Sequence, residues 1–328
     1  MKNLPRVIDF RLRPPSRGFL GMVMYANVDR TRRLTAGIGM TQPQSVAQRS
    51  VDLMLKEMDE AGVRYGVVPG RLSPVLGTIA PDDVAAIVAD HPDRLFGYAA
   101  VDLSNRRKTV AAIDAEMKRG MKGIVLEPGL TAQPMHLDDA RMYPVYAHLE
   151  DRGIPVLFMA GGNAGPDITY TAPEHIDRVA RDFPEMKIIS GHGNWPWVAE
   201  IIHICYRRTN IWLSPDMYLF GGMPGSREYV DVMNGFMSER FLFATAYPVL
   251  PLGESVEKFL QLPLKESVVD RLLYANAAQL LGLEAQCASS ISACGLRSPA
   301  SSAPPCTRSR SAPRRWALRS DFRRPRRS

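Results

Sequence analysis

The chain alternates between short apolar runs and longer stretches with helical periodicity. Runs of strand character occur at residues 7–15 (VIDFRLRPP), 63–70, 95–103, 121–128, 154–162, 186–193, 211–218 and 241–249. Between them lie amphipathic segments. Residues 45–61 put Val51, Leu55 and Met58 on one stripe and stop at Gly62, the residue that best accepts a left-handed helix end. Residues 81–90 open with Pro81 and two acids, Asp82 and Asp83, as a helix N-terminus prefers. Further helices are predicted at 105–119, 138–152, 173–182, 197–208, 227–239 and 267–281. Strands that alternate with helices pair in parallel and are covered on both faces. Eight such units close most simply as a single-domain (β/α)₈ barrel, a TIM barrel. A doubly wound open sheet is the competing architecture, but no Gly-rich dinucleotide fingerprint follows the first run.

Two segments fall outside this rhythm. Residues 16–44, rich in Gly, Met and Arg, read as an extended first βα loop capping the barrel mouth. There Phe19, Met22, Met24 and Tyr25 would line an apolar pocket or form a homodimer contact. From residue 285 onward Ser, Pro, Ala and Arg dominate and apolar periodicity ends, so no packed structure is expected. The sequence therefore predicts a barrel over 1–284 and a disordered basic tail over 285–328.

Composition changes this picture mainly through its distribution. With 328 residues, 45% of them hydrophobic and 23% charged, the chain can bury one large core. No apolar run approaches the ~20 residues of a membrane span, and no signal peptide opens the chain, so a cytoplasmic protein without a membrane partner is expected. A net charge of +7 would suggest nucleic acid. However, the tail holds ten arginines against Asp321, which leaves the remainder slightly acidic and without a basic recognition surface. Three of the four cysteines, Cys287, Cys294 and Cys306, also lie in the tail. Cys205 alone cannot build a disulfide framework or a thiolate metal site.

The candidate chemistry sits at the C-terminal strand ends, where barrels of this type gather their functional groups. Asp9, Arg11 and Arg13 alternate along the first strand and would share its inward face. The strand ends would bring Arg11, Arg13 and Arg71 together with Glu127, Asn163, His192, Asp216 and Tyr247. The arginines suit a carboxylate or phosphate, since a guanidinium fork pairs bidentately with either. His192 is the leading acid/base candidate because imidazole titrates near neutrality. Asp216 is the second, and Tyr247 or Asn163 would steady an oxyanion. Each has a structural reading too. Arg11 and Arg13 could pair with Asp9 and Glu127, His192 could pack beside Trp195 and Trp197, and Asp216 could cap a turn.

Five stretches, VIDFRLRPP, GIPVLFMAGG, IISGHGNWPW, FATAYP and LLYANAAQLLGL, resemble in order the motifs of the amidohydrolase-related family over about residues 6–283. The resemblance implies a TIM-barrel hydrolase or decarboxylase. It also implies Zn²⁺ or a similar ion held by two first-strand histidines, histidines from strands five and six, and an aspartate from strand eight. Those positions here are Arg11, Arg13, Met159, His192 and Ala246. A guanidinium has no lone pair to give, so no metal is expected. The pyrone-dicarboxylate lactonases of the same family, which resemble this chain in outline, work without metal and hold their anion with arginines. The sequence thus points to metal-independent hydrolysis or decarboxylation of a small anionic, cyclic or aromatic carboxylate. The alternative is a catalytically silent pseudo-amidohydrolase that binds a small anion or a protein partner.

Overall fold

The computed structural model describes residues 4–220 and 222–283, so the expectation of a disordered tail over 285–328 lies outside the described residues. Nine strands are present among the described residues: β1 (Val7–Asp9), β2 (Val63–Pro69), β3 (Arg71–Ser73), β4 (Gly77–Ile79), β5 (Leu95–Ala100), β6 (Gly123–Leu126), β7 (Val156–Met159), β8 (Ile188–Gly191) and β9 (Ile211–Ser214). Seven form one parallel sheet in the order β1-β2-β5-β6-β7-β8-β9, while β3 and β4 make a separate antiparallel hairpin. Helices cover the outside of this curled sheet, giving the TIM-barrel-like fold that the alternation predicts. No helix among the described residues is long and apolar enough to cross a membrane.

The predicted eighth strand is an extended segment without a ladder. It touches its neighbours through isolated parallel bridges, Leu213 with Phe241 and Leu12 with Tyr247, and Phe10 N donates to Phe243 O at 2.9 Å. Its pairing is diverted by a side chain. The Asp9 carboxylate accepts the Thr245 N–H at 3.0 Å and the Thr245 hydroxyl. Ala246 then enters the left-handed region at φ 52, where a strand cannot continue.

Alternate strand positions feed two cores. Ile8, Phe10, Val67, Tyr98, Val125, Leu157, Ile189 and Leu242 fill the barrel interior. Val7, Leu12, Met58, Val84, Ile113 and Val179 pack in the layer shared with the helices. This pattern corrects the reading of the first strand. Ile8 and Phe10 point inward, so Asp9 points to the opposite face, toward Thr245. A bend at Phe10 breaks the alternation, after which Leu12 packs outward and Arg11 and Arg13 turn to the mouth.

The helix predicted over 45–61 is two helices, Gln44–Gln48 and Val51–Ala61. Arg49 takes φ 52 between them, and the Ser50 side chain caps the second by accepting from Leu53 N at 3.2 Å, as an N-cap serine does. Gly62 ends it at φ 74, and a Cβ there would sit 2.3 Å from Pro5 O, so glycine is required on two counts. The first loop is largely helical, with Arg17–Gly21, Val23–Ala26 and Val28–Gly37. A further helix, Leu252–Leu260, lies in a stretch assigned no element from the sequence.

Candidate functional site

The turns that follow β8, β9 and the closing segment build one side of the mouth. Four of the six non-glycine residues with left-handed φ among the described residues fall there: His192 (60°), Asn194 (63°), Asp216 (44°) and Ala246 (52°). Each costs roughly 1–3 kcal/mol and persists only where its surroundings over-determine it. Here the surroundings include the hydrogen bonds of Asn194 to Thr171 O at 2.8 Å and of Tyr229 to Gly193 O at 2.8 Å. Gly193 itself could not carry a side chain, because a Cβ would lie 2.8 Å from Pro215.

These turns bring His192 and Asp216 to Arg11. Arg11 Nη1 donates to Asp216 Oδ2 and lies 2.9 Å from His192 Nδ1. His192 Nδ1 is 3.3 and 3.2 Å from the two Asp216 oxygens. Burial alone would push the Asp216 carboxyl up, but His192 and Arg11 outweigh it and hold the group at about 2. Asp216 is thus an ionised counter-charge and a weak proton acceptor at neutral pH. Burial and then Arg11 lower the pKa of His192, which favours the neutral ring.

On the other side Arg71 grips Glu127 as a fork, Nε to Oε2 and Nη2 to Oε1, each at 2.8 Å. Burial opposes ionisation of both groups, yet each charge stabilises the other: Glu127 titrates below its usual range and Arg71 above. Arg13 is different. It donates from Nη1 to the carbonyls of Ala246 at 3.0 Å and Tyr247 at 3.3 Å, and no carboxylate among the described residues forms an ion pair with it. Burial first, then the positive charges of Arg11 and Arg71, press its pKa well below the arginine range. Neither arginine of the first strand pairs with Asp9 or Glu127, the partners a structural reading would give them.

Arg11, Arg71, Glu127, His192 and Asn163 border a cavity of ≈ 170 Å³ whose apolar wall includes Val23, Met24, Leu130 and Met159. Of Phe19, Met22, Met24 and Tyr25, it is Met24 that joins this wall. Met22 stands beside Arg13 and Arg71 in a narrower crevice, and Phe19 and Tyr25 are buried in the chain's own core. Asn163 is exposed at the rim. Tyr247 is not brought to the group. The turn at Ala246 sends its ring into the outer layer, where its hydroxyl meets Ser45 Oγ at 2.5 Å. Tyr218 joins the wall unforeseen, stacked on Trp195 at 4.7 Å and edge-on to His192 at 5.3 Å. Room for it is left by Gly162, where a Cβ would lie 2.3 Å from the Tyr218 hydroxyl, and no sequence signal links the two.

The donor set does not fit the metal that the family resemblance implies. Arg11 and Arg13 offer no lone pairs, Met159 offers a soft thioether, and Ala246 offers nothing. His192 alone remains of the implied set, and it and the nearby Asp216 already hold the Arg11 guanidinium between them, while Glu127 is taken by Arg71. Among the described residues no group of three or more His, Cys, Asp or Glu side chains could hold a metal ion.

The amidohydrolase family model matches residues 8–283. An uncharacterized TIM-barrel protein from Bordetella bronchiseptica is 47% identical, with a TM-score of 0.81 over 84% of this chain and 98% of that one. A 2,6-dihydroxybenzoate decarboxylase from Rhizobium is 15% identical (TM-score 0.66; 86% and 100% covered). A 5-carboxyvanillate decarboxylase from Sphingomonas paucimobilis is 18% identical (TM-score 0.58; 84% and 99%). At that identity the two decarboxylases share the fold alone. Among curated proteins none matches this chain.

Proposed function

The chain belongs to the amidohydrolase family, and we propose that it is an enzyme acting on a small carboxylate-bearing molecule by metal-independent hydrolysis or decarboxylation. One observation carries this reading: the mouth buries more positive charge than its carboxylates balance. Arg11 is matched by Asp216 and Arg71 by Glu127, while Arg13 has backbone carbonyls as partners. A buried cation without a counter-ion is costly, and an anionic ligand would supply the missing charge. Arg11 Nε, buried with no hydrogen-bond partner among the described residues, is a second unmet demand of the same sign.

Size narrows the class. A cavity of ~150 Å³ is enough for a benzene ring, so ≈ 170 Å³ suits an acid with one ring or a short aliphatic chain. The named activities of the two decarboxylase neighbours, on dihydroxybenzoate and carboxyvanillate, are consistent with such substrates. Arg71 and Arg11 would hold the carboxylate, with the Arg13 charge behind them in the adjoining crevice, His192 at the reacting end of the cavity and Asp216 fixing Arg11.

The test is thermal stabilisation by small mono- and dicarboxylates, followed by product analysis on the acids that stabilise. A ligand at a hundred times its Kd contributes ~2.7 kcal/mol, which for a chain this size raises Tm by ~5 °C or more. Arg13→Met, which removes the charge that has no carboxylate partner among the described residues, should diminish that shift and weaken binding, as expected for a lost nearby opposite charge in a buried site. Stabilisation without product would support the silent binder. No stabilisation by any carboxylate, or stoichiometric metal in the purified protein, would sink the reading.

A further inference from the structure

The contact between Arg11 and His192 assigns a hydrogen to one ring nitrogen. Arg11 Nη1 lies 2.9 Å from His192 Nδ1, and a guanidinium is always protonated and never accepts. If Nδ1 also carried hydrogen, two donors would face each other at hydrogen-bond distance. The nearby Asp216 oxygens, at 3.2 and 3.3 Å, would reward an Nδ1–H, but they lie farther off than the 2.9 Å Arg11 contact and each already accepts one hydrogen bond. Oδ2 accepts from Arg11, and Oδ1 accepts the Met217 N–H at 2.6 Å. The attractive arrangement therefore has Nδ1 bare, accepting from Arg11.

We propose that Arg11 is a positioning residue that locks His192 as the Nε2–H tautomer, so that the ring offers the cavity an N–H donor instead of a lone pair. His192 borders the cavity and is 15% exposed, and its Nε2 has no hydrogen-bond partner among the described residues. That N–H would bind an anionic oxygen of the ligand or an oxyanion that develops from it. The ring cannot accept a proton from water while Arg11 occupies Nδ1 and hydrogen occupies Nε2. The donor role rests on the carboxylate reading above, but the tautomer itself can be measured on ligand-free protein, so the two stand or fall separately.

The test is a long-range ¹H–¹⁵N spectrum of the full chain at pH 7 with ¹⁵N-labelled histidine, with His192 assigned as the signal missing from His192→Gln. The expected pattern is a pyridine-like Nδ1 and a pyrrole-like Nε2. Arg11→Lys, which still donates, should keep it. Arg11→Met should reverse it, because Nδ1–H would then turn to Asp216. A pyrrole-like Nδ1 or a doubly protonated ring in the native protein overturns the proposal, whether or not Arg11→Met folds. An unchanged pattern in a folded Arg11→Met overturns it equally. Adding benzoate as the probe should shift the Nε2–H signal. Benzoate that binds, by thermal shift, without moving that signal overturns the donor role. Failure of benzoate and other carboxylates to bind counts against the functional reading and leaves the tautomer to the ligand-free spectrum.

Discussion

The interior of this barrel and its mouth, separated by a few residues on the same strands, follow opposite rules. The interior is apolar and takes inward positions from nearly every strand, as Ile8, Phe10, Val67, Leu157 and Ile189 do. The mouth carries Arg11, Arg13, Arg71, Glu127 and Asp216, all buried, and Asp216 itself sits in a left-handed turn, as His192 and Ala246 beside it do. Burial stabilises the first group because apolar surface leaves water. It penalises the second, whose charges are tolerated through pairing of Arg11 with Asp216 and of Arg71 with Glu127, and for Arg13 through backbone carbonyls. The difference teaches that stability is concentrated below the strand ends, while the mouth is a cost the interior sustains.

The largest expected effect comes from breaking the interior. Phe10→Ala removes a ring packed edge-on to Tyr98 at 5.5 Å and should cost ~3–5 kcal/mol, measured by chemical denaturation. At the mouth, Glu127→Gln leaves Arg71 buried and uncompensated and should cost a similar ~3 kcal/mol. The double variant Arg71→Met with Glu127→Leu should recover most of that loss, since replacing a whole buried pair is often neutral. If the double variant is as unstable as the single, the pair stabilises the fold and the contrast between regions fails.

Acid should weaken the mouth before the interior. The His192 pKa is lowered on folding, so its contribution is complete above the unfolded value of ~6.5 and is lost as pH falls toward the lowered value. Asp216, at about 2 in the fold against an ordinary 3.8, contributes ~2 kcal/mol above pH 3.8 that is lost as pH falls through about 2. The Asp9 pKa is raised, chiefly by burial, so it acts in the opposite sense and stabilises the fold only below its folded pKa. Denaturation midpoints measured from pH 7.5 down to pH 3 should fall first over the histidine window. A flat profile there would show that His192 is not protected from protonation. The smallest effect is expected from deleting residues 285–328, which should leave Tm and carboxylate binding unchanged.

The sequence showed most of this fold because apolar runs and helical stripes are periodic, and period survives local irregularity. It failed where one residue breaks the period. A bend at Phe10 moved Asp9 away from the arginines, Arg49 split a helix, and Ala246 turned Tyr247 out of the mouth. The hairpin of β3 and β4 was hidden in a stretch too short to show alternation. The pairing of Arg71 with Glu127 spans 56 residues, a relation no local pattern encodes. Tyr218 escaped notice because its place depends on the turn after β9 and on the bare backbone at Gly162.

The fastening of the last stave to the first has a consequence of its own. Where the seven strands of the sheet are joined by backbone ladders, this joint has only isolated backbone contacts, among them Phe10 N to Phe243 O, reinforced by one carboxylate, Asp9, reaching across to Thr245. A ladder yields only when the whole strand peels away, but a side-chain latch can be undone by one replacement or one proton. If the cylinder breathes anywhere, it should part along this line, and amide exchange at Thr245 should run ahead of that in β7 and β8.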